Sequence, residues 1–310
     1  MKKPSVVTAK PKVTIGVCVR NCQNLIKDAL DSISNQDFPH ELMELILVDD
    51  GSEDETLTTM QQHTRNMNLS VKIFHTSWKG LGHARNIVAQ NASGEYILWV
   101  DGDMLLEKEF VTKLVAFMDR RLDVGIAKGK QALETSSSWL GTLETFARAA
   151  SRMVDYESKK ARNKALGTGG AIYRVTALKR AGGFDENLRG YGEDADVELR
   201  IRASGYLLST VDTKFLDYER CGLTWKALWE RYWLRGYCTH YFLHKNKGTL
   251  KPYKMLPFTA VAAGLLQATM LYKLTSRKVV FLLPLQYLFK MTAYNLGYLR
   301  SHSDNYAPLQ

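Results

Sequence analysis

Cysteine is scarce in this 310-residue sequence: Cys18, Cys22, Cys221 and Cys238 are the whole set. Only the first two are close together, and neither has partners at metal-site spacing. A zinc framework or a disulfide-stapled fold is therefore excluded, and reduced thiols in a cytoplasmic protein are expected. The opening MKKPSVVTAK has no apolar run or small-residue cleavage site behind it, so it does not read as a signal peptide. VTIGVCVRN, which follows, is too short to cross a bilayer and reads as a buried strand. That strand leads into RNCQNL rather than a G-x-G-x-x-G turn, which argues against a Rossmann dehydrogenase. Internal repeats and low-complexity linkers are missing as well.

Acidic residues are nearly absent from one region. Between 220 and 300 there are 13 Lys or Arg and a single carboxylate, Glu230, so the net charge of +10 for the whole chain is concentrated there. The same region carries MLPFTAVAAGLLQATMLY (255–272), 18 residues without a charge. VVFLLPLQYLF (279–289) follows and runs past Lys290 through MTAYNLGYL. A spanning helix needs about 20 apolar residues, so the first segment is borderline, and Pro284 and Lys290 interrupt the second. Two full spans would place Lys273, Arg277 and Lys278 on the opposite side from the membrane's basic-rich cytoplasmic face. In-plane or re-entrant helices avoid that conflict. Basic charge interleaved with apolar stretches favours anionic membrane lipids over nucleic acid as the partner. A pair of buried core helices or a homo-oligomer interface is the competing reading.

What is present before residue 131 is an alternation of short β-rich runs with helical patterns. Strands are expected at 13–19, 43–50, 70–75 and 95–101, and helices at 25–36, 54–67, 81–92 and 107–120. This order implies an open, mostly parallel α/β sheet covered on both faces, with its ligand site beyond the carboxyl ends of the strands. From 131 the pattern changes: a polar stretch, a long amphipathic helix at 139–160, a Gly-rich turn entering a strand at 167–175, and a short helix at 176–181. A loop then feeds a helix across 190–205, followed by a strand at 206–211 and an aromatic, basic helix at 223–245.

Two strand ends carry acids. Asp49 and Asp50 close the second strand before Gly51 and Ser52, where they could accept hydrogen bonds from a base or ribose; capping the next helix is the bland alternative. Asp101–Gly102–Asp103 follows the apolar run EYILWV. A hard divalent cation takes oxygen ligands and commonly keeps waters while bridging phosphates, and one or two carboxylates at a strand end suit it. Glu193, Asp194 and Asp196 would open a helix, whose amino end favours acids. Gly167, Gly169 and Gly170 read as a turn that lets backbone approach a ligand. Trp78, Trp139, Tyr191 and Trp225 are candidate sugar or lipid contacts, with packing the simpler reading.

The ordered set VCVRNCQNLIKDALDSI, LILVDDGSEDET, GLGHARN, GEYILWVDGD, GTGGAIYR and GYGEDADVELRIRASG resembles the inverting nucleotide-sugar glycosyltransferase family 2 over about 13–245. The resemblance implies a GT-A, Rossmann-like sheet flanked by helices, here followed by a C-terminal amphipathic and hydrophobic region for membrane association. It divides the chain into a catalytic domain, 1–222, with a nucleotide-sugar half (12–130) and an acceptor half (131–222), and a helical remainder, 223–310. It further implies that Val19, Arg20, Asn21, Asp49 and Asp50 surround the nucleobase or ribose. Lys79, Gly80 and Arg85 would contact the nucleotide, Asp103 would bind Mg²⁺ or Mn²⁺, and Asp101 would face the ribose or metal. Gly102, Gly169 and Gly170 would line the donor, Asp194 with Glu193 would form the catalytic pair, and Arg231 and Arg235 would lie over the diphosphate.

Two departures stand out. Many relatives place a histidine after the strand that follows the acid-pair helix, whereas FLDYERCG (215–222) has none; Asp217, His240 or His244 are the available substitutes. The Q-x-x-R-W sequence of processive members is replaced by ERYWLRGY (230–237), which favours transfer of a single sugar. The expected function is transfer of one hexose or N-acetylhexosamine from a nucleotide diphosphate sugar to a polyprenyl-linked glycan at the cytoplasmic face of the cell membrane. A polyprenyl-phosphate hexose synthase and a polysaccharide- or protein-directed transferase are the alternatives within the class. Outside it stand a nucleotide-sugar binding protein, which would be expected to have lost Asp103 or Asp194, and a nucleic-acid binding protein, which gives no reason for the uncharged 18-residue segment or the acids at the strand ends.

Overall fold

A computed structural model describes residues 10–152, 155–158, 164–217, 222–248 and 256–305. The chain runs β1 (Val13–Val19), α1 (Ile26–Ser34), β2 (Met43–Asp50), α2 (Thr56–Thr64), β3 (Ser70–Thr76), α3 (Leu81–Asn91) and β4 (Tyr96–Trp99). It continues with β5 (Leu105–Leu106), α4 (Phe110–Arg120), β6 (Val124–Gln131), α5 (Trp139–Arg152), β7 (Ala171–Arg174) and α6 (Val175–Arg180). The last elements are α7 (Glu193–Ala203), β8 (Leu207–Leu216), α8 (Trp225–Lys245), α9 (Pro257–Thr275) and α10 (Leu283–Ser303).

The strands form one sheet in the order β3-β2-β1-β4-β7-β6-β8-β5. β3, β2, β1 and β4 are parallel neighbours; β7 runs antiparallel between β4 and β6, and β8 is again parallel to β6. Alternation along the strands supplies both cores, because successive side chains point to opposite faces. Val13, Ile15, Val17, Leu45, Leu47 and Leu98 enter one core with α1 and α4. Ile46, Val48, Ile97 and Trp99 enter the other with α3, α6 and α7. Helix α1 shows the matching helical spacing, burying Ile26, Ala29, Leu30 and Ile33.

Strand β6 has no counterpart among the strands expected from the sequence. Its run VGIAKGKQ contains two lysines and two glycines, yet Lys128 is buried and its ammonium donates to the carbonyls of Leu166 and Gly167 at 2.8 and 3.0 Å. A long-range partner, not a local preference, makes this segment a strand.

The C-terminal helices pack directly on the rest of the molecule. Gly236 of α8 lies against the Tyr294 carbonyl of α10, and Gly297 of α10 against the Trp233 carbonyl of α8, so a side chain at either would meet backbone. Pro284 stands in the first turn of α10, where its missing N–H costs nothing, so it starts the helix instead of interrupting it. Lys290 then falls on the inner face and pairs with Glu144 of α5 at 2.7 Å; Glu144 is fully buried. Among the described residues no helix is long and apolar enough to cross a membrane. The outer faces of α9 and α10 do expose large apolar side chains, with Phe258 85 % and Leu266 73 % accessible and Leu265, Leu285 and Leu299 also open.

Candidate active site

The carboxyl ends of β1, β2 and β3 build one rim. Asn21 takes a left-handed conformation just past β1; its backbone N–H donates to Ser52 Oγ at 2.9 Å and its side-chain oxygen accepts from the Glu53 N–H at 2.8 Å. Arg20 donates to the Gly51 carbonyl, pairs with Glu53 at 2.9 Å, and lies over the Trp78 ring at 5.3 Å. Both oxygens of Asp50 accept backbone N–H groups, from Lys79 at 2.9 Å and Gly80 at 2.8 Å. Asp50 thus holds the loop entering α3, and Gly80, at φ +95°, is pressed against Arg189 where a β-carbon would collide. Asp49 points elsewhere: it is fully buried, bonded to Ser52, with His75 Nδ1 2.7 Å away. Of the acidic pair, only Asp50 faces the loop that the sequence associates with a nucleotide. Val19 is buried beside them and packs where Gly102 leaves no room for a side chain.

Beyond β4, Asp101 and Asp103 come together with Asp217 at the end of β8. Burial first, then the negative charges of Asp217 and Asp101, raises the Asp103 carboxyl to about 7. Arg148 of α5 opposes this and pairs with Asp217 at 3.2 Å. Such an accumulation of carboxylates is what a bound cation relieves. No group of three or more His, Cys, Asp or Glu side chains among the described residues is arranged to hold a metal ion.

The second acidic centre is the amino end of α7. Gly192, at φ +100°, turns the chain so that Glu193, Asp194 and Asp196 occupy the first turn. The three acids have separate surroundings. Asp196 is fully buried and bound by Arg200, Lys245 and Asn246, a structural role. Glu193 is buried against Arg85 as an ion pair, and burial plus the adjacent Asp194 raise its carboxyl to about 7 despite that pairing. Arg85, expected near the nucleotide, is in this way the counter-ion of the acid pair. Asp194 remains half-buried, accepts the Ala195 N–H at 2.7 Å, and faces a cavity of about 730 Å³.

The Gly-rich turn connects the two centres. Gly169 lies against the Asp101 carboxylate, and a β-carbon on Gly167 would sit 3.5 Å from Asp194 Oδ2. Gly170, at φ +73°, packs on the Phe215 ring. Below this turn, Glu198 accepts the Leu166 and Gly167 N–H groups at 2.7 and 2.8 Å, while Lys128 holds the carbonyls of the same residues. Burial and Asp194 raise the Glu198 carboxyl to about 8. Lys128 and Arg148 lie outside the quoted motifs, and Glu198, inside GYGEDADVELRIRASG, carries no signal that separates it from its neighbours; the tertiary arrangement identifies all three. Arg235 of α8 lines the Asp194 cavity, held between the rings of Tyr191 and Tyr232 at 5.1 and 4.8 Å. Arg231, one turn earlier, is half-buried and is not among the residues lining that cavity. Trp139 and Trp225 pack on each other, and Trp225 also packs on Phe289.

Comparison with known proteins adds three findings. The family model for glycosyl transferase family 2 matches residues 14–181. Among curated relatives, the poly(ribitol-phosphate) beta-N-acetylglucosaminyltransferase TarS of Staphylococcus aureus is 35 % identical over 108 residues. The poly(ribitol-phosphate) beta-glucosyltransferase of Bacillus spizizenii is 36 % identical over 121 residues. These matches take in 35 % and 38 % of this chain and 19 % of each relative, so less than a fifth of either relative is matched. Among solved structures, the mannosyltransferase PcManGT from Pyrobaculum calidifontis, in complex with GDP-Man and Mn²⁺, superposes with a TM-score of 0.63 at 21 % identity. That match covers 93 % of this chain and 88 % of the other. Residues 1–349 of S. aureus TarS with UDP give a TM-score of 0.52 at 19 % identity, covering 94 % and 92 %. At these identities the likeness establishes the fold, an α/β GT-A-like sheet with flanking helices.

Proposed function

The chain belongs to glycosyl transferase family 2, and from that premise we propose that it is an inverting glycosyltransferase moving one hexose or N-acetylhexosamine from a nucleotide diphosphate sugar to a polyprenyl-linked glycan. The observation that carries this reading is the bridge made by the Gly167–Gly170 turn, which sets Asp194 and its cavity on one side and Asp101 with Asp103 on the other. An inverting displacement needs those two centres: a base for the incoming hydroxyl and charge compensation for the departing diphosphate.

In this mechanism Arg20 and Trp78 offer a cationic and aromatic surface for the base, and Asp50 keeps the Lys79–Gly80 loop against it. Asp194 accepts the proton of the acceptor hydroxyl as that oxygen attacks the anomeric carbon. Glu193, tied to Arg85, fixes the first turn of α7 and thereby the direction of the base. Asp103 and Asp101 would hold Mg²⁺ or Mn²⁺, which when bound would supply positive charge for the leaving diphosphate. The GDP-Man, UDP and Mn²⁺ bound to the neighbours support this assignment of donor and metal.

The exposed apolar faces of α9 and α10, flanked by Lys273, Arg277 and Lys278, support a peripheral or re-entrant position on the cytoplasmic face of the membrane. A polymeric polyol phosphate is a second acceptor class, favoured by the names of the poly(ribitol-phosphate) relatives. The test is transfer of radiolabelled sugar from UDP- and GDP-sugars into membrane lipids with Mg²⁺, Mn²⁺ or EDTA. Asp194→Asn should lower kcat by about 10²–10⁴ with little change in donor KM. Label reaching only soluble glycans would overturn the lipid acceptor while keeping the class. No turnover of any donor by folded protein would overturn the class.

A further inference from the structure

The cavity in front of Asp194 has walls from outside the family-matched segment. Tyr232 and Arg235 come from α8, Thr259, Ala260 and Ala263 from α9, and Tyr287, Lys290, Met291 and Tyr294 from α10. No residue from the carboxyl ends of β1 to β4 reaches it. Its cations are not equivalent. Lys290 is neutralised by Glu144 at 2.7 Å and Arg148 by Asp217 at 3.2 Å. Arg235 makes no side-chain hydrogen bond or ion pair among the described residues; its guanidinium lies over two tyrosine rings at the cavity wall. A clamped guanidinium with its N–H fork unused is pre-organised for an oxyanion.

The side on which Arg235 lies decides which oxyanion. In an inverting displacement the nucleophile and the leaving diphosphate stand on opposite faces of the anomeric carbon. Arg235 shares its cavity with the base, Asp194, and so lies on the nucleophile's side. Resting on the glycosyltransferase reading above, we infer that Arg235 binds a phosphate ester carried by the acceptor, not the diphosphate of the donor, and that α8, α9 and α10 build the acceptor subsite. Tyr232 and Tyr287 already donate to Glu144 and Gln267, which leaves the hydroxyls of Tyr191 and Tyr294 as further donors for the remaining phosphate oxygens, and the alanines of α9 leave space for the glycan or chain attached to it.

The experiment uses the full chain and two phosphate probes with their parent alcohols: citronellyl phosphate and citronellol for a lipid-borne ester, ribitol 5-phosphate and ribitol for a polyol-borne one. Dissociation constants are measured by tryptophan fluorescence in the presence of UDP and Mn²⁺, and UDP binding is measured separately. At least one phosphate should bind ten-fold or more tighter than its alcohol, and Arg235→Met should erase that difference with UDP affinity unchanged. Arg235→Lys, which keeps the charge but not the fork, should retain part of it, and serves if the methionine variant does not fold. Preference for citronellyl phosphate identifies a lipid acceptor, and preference for ribitol 5-phosphate a polyol acceptor; either supports the inference. Equal binding of both phosphates and their alcohols overturns it, as does a loss of UDP affinity in the variants that matches or exceeds the loss for the probes. Phosphate discrimination without any nucleotide binding or sugar turnover would instead remove the glycosyltransferase reading on which the inference rests, and the inference with it.

Discussion

Replacing Lys290 by Met should destabilise the protein far more than the loss of one surface charge would. Lys290 Nζ is 2.7 Å from Glu144 Oε2, and Glu144 is 0 % exposed. Without the ammonium, the hydrogen-bond donors left to Glu144 among the described residues are Tyr232 Oη at 3.2 Å and Gln286 Nε2 at 3.5 Å, both neutral, with the charges of Arg235 and Arg148 acting without a direct bond. Breaking a buried ion pair from one side typically costs about 3–5 kcal/mol, because the other charge is left desolvated. With a urea m-value of about 3 kcal/mol per molar, the unfolding midpoint should fall by about 1–1.7 M. Adding Glu144→Gln to Lys290→Met removes the stranded charge and should recover a large part of the loss.

The pH dependence of this pair follows from both partners. Burial alone would raise the Glu144 carboxyl, but the charge and hydrogen bond of Lys290, together with the charges of Arg235 and Arg148, outweigh it and hold the group below the ordinary range. Its stabilisation is present above the unfolded carboxyl value of about 4.3 and is lost as pH falls through the lower folded value. Burial likewise opposes charge on Lys290, but Tyr232, Glu144 and Tyr287 together raise it. Its contribution is present below the unfolded lysine value of about 10.4 and is lost as pH rises through the higher folded value. The penalty of Lys290→Met should therefore be full near neutrality and shrink below about pH 4. A loss under about 0.5 kcal/mol at pH 7, or a double variant as unstable as the single one, would refute the argument.

Two other outcomes follow from the site and the surface. The Asp103 carboxyl is raised to about 7 by burial and by Asp217 and Asp101, so without metal it favours stability at low pH and that stability is lost as pH rises toward 7. Mn²⁺ should raise the melting temperature more at pH 8 than at pH 5, and Asp103→Asn should diminish that rise; a pH-independent effect would contradict the assignment. Phe258→Glu with Leu266→Glu should reduce co-sedimentation with vesicles containing anionic lipid while leaving turnover of a soluble acceptor analogue intact. Unchanged co-sedimentation would remove these faces from membrane contact.

The β1–β4 half was legible in the sequence because its information is local. Strands β1 and β2 fall on the expected 13–19 and 43–50, since each is a short apolar run whose burial does not depend on what folds later. Asp50, Asp103 and Asp194 stand where the sequence put them, at the ends of strands and the start of a helix. The part that was not legible depends on contacts between distant segments. Lys128 reads as a solvated lysine until Leu166 and Gly167 bring their carbonyls to it. Lys290 reads as a break in an apolar run until Glu144, 146 positions earlier, is found beside it.

The same distinction explains why the family match ends near residue 181 while the likeness of fold extends over 93 % of the chain. On the function proposed above, nucleotide recognition would set the rim at the carboxyl ends of β1 to β3 and the acidic strand ends. The cavity in front of Asp194 is closed by helices that pack closely on one another: Gly236 fits the Tyr294 carbonyl, Gly297 fits the Trp233 carbonyl, and Gly264 fits Pro284. Such close crossings fix helix spacing without prescribing what lines the space between them. Tyr191, Tyr232, Tyr287, Tyr294 and Arg235 can therefore be chosen for the acceptor while the scaffold stays constant. If α8 to α10 build the acceptor subsite, as inferred above, specificity for the acceptor is concentrated in the part of the chain where motifs are weakest, and substitutions there should exchange one acceptor for another.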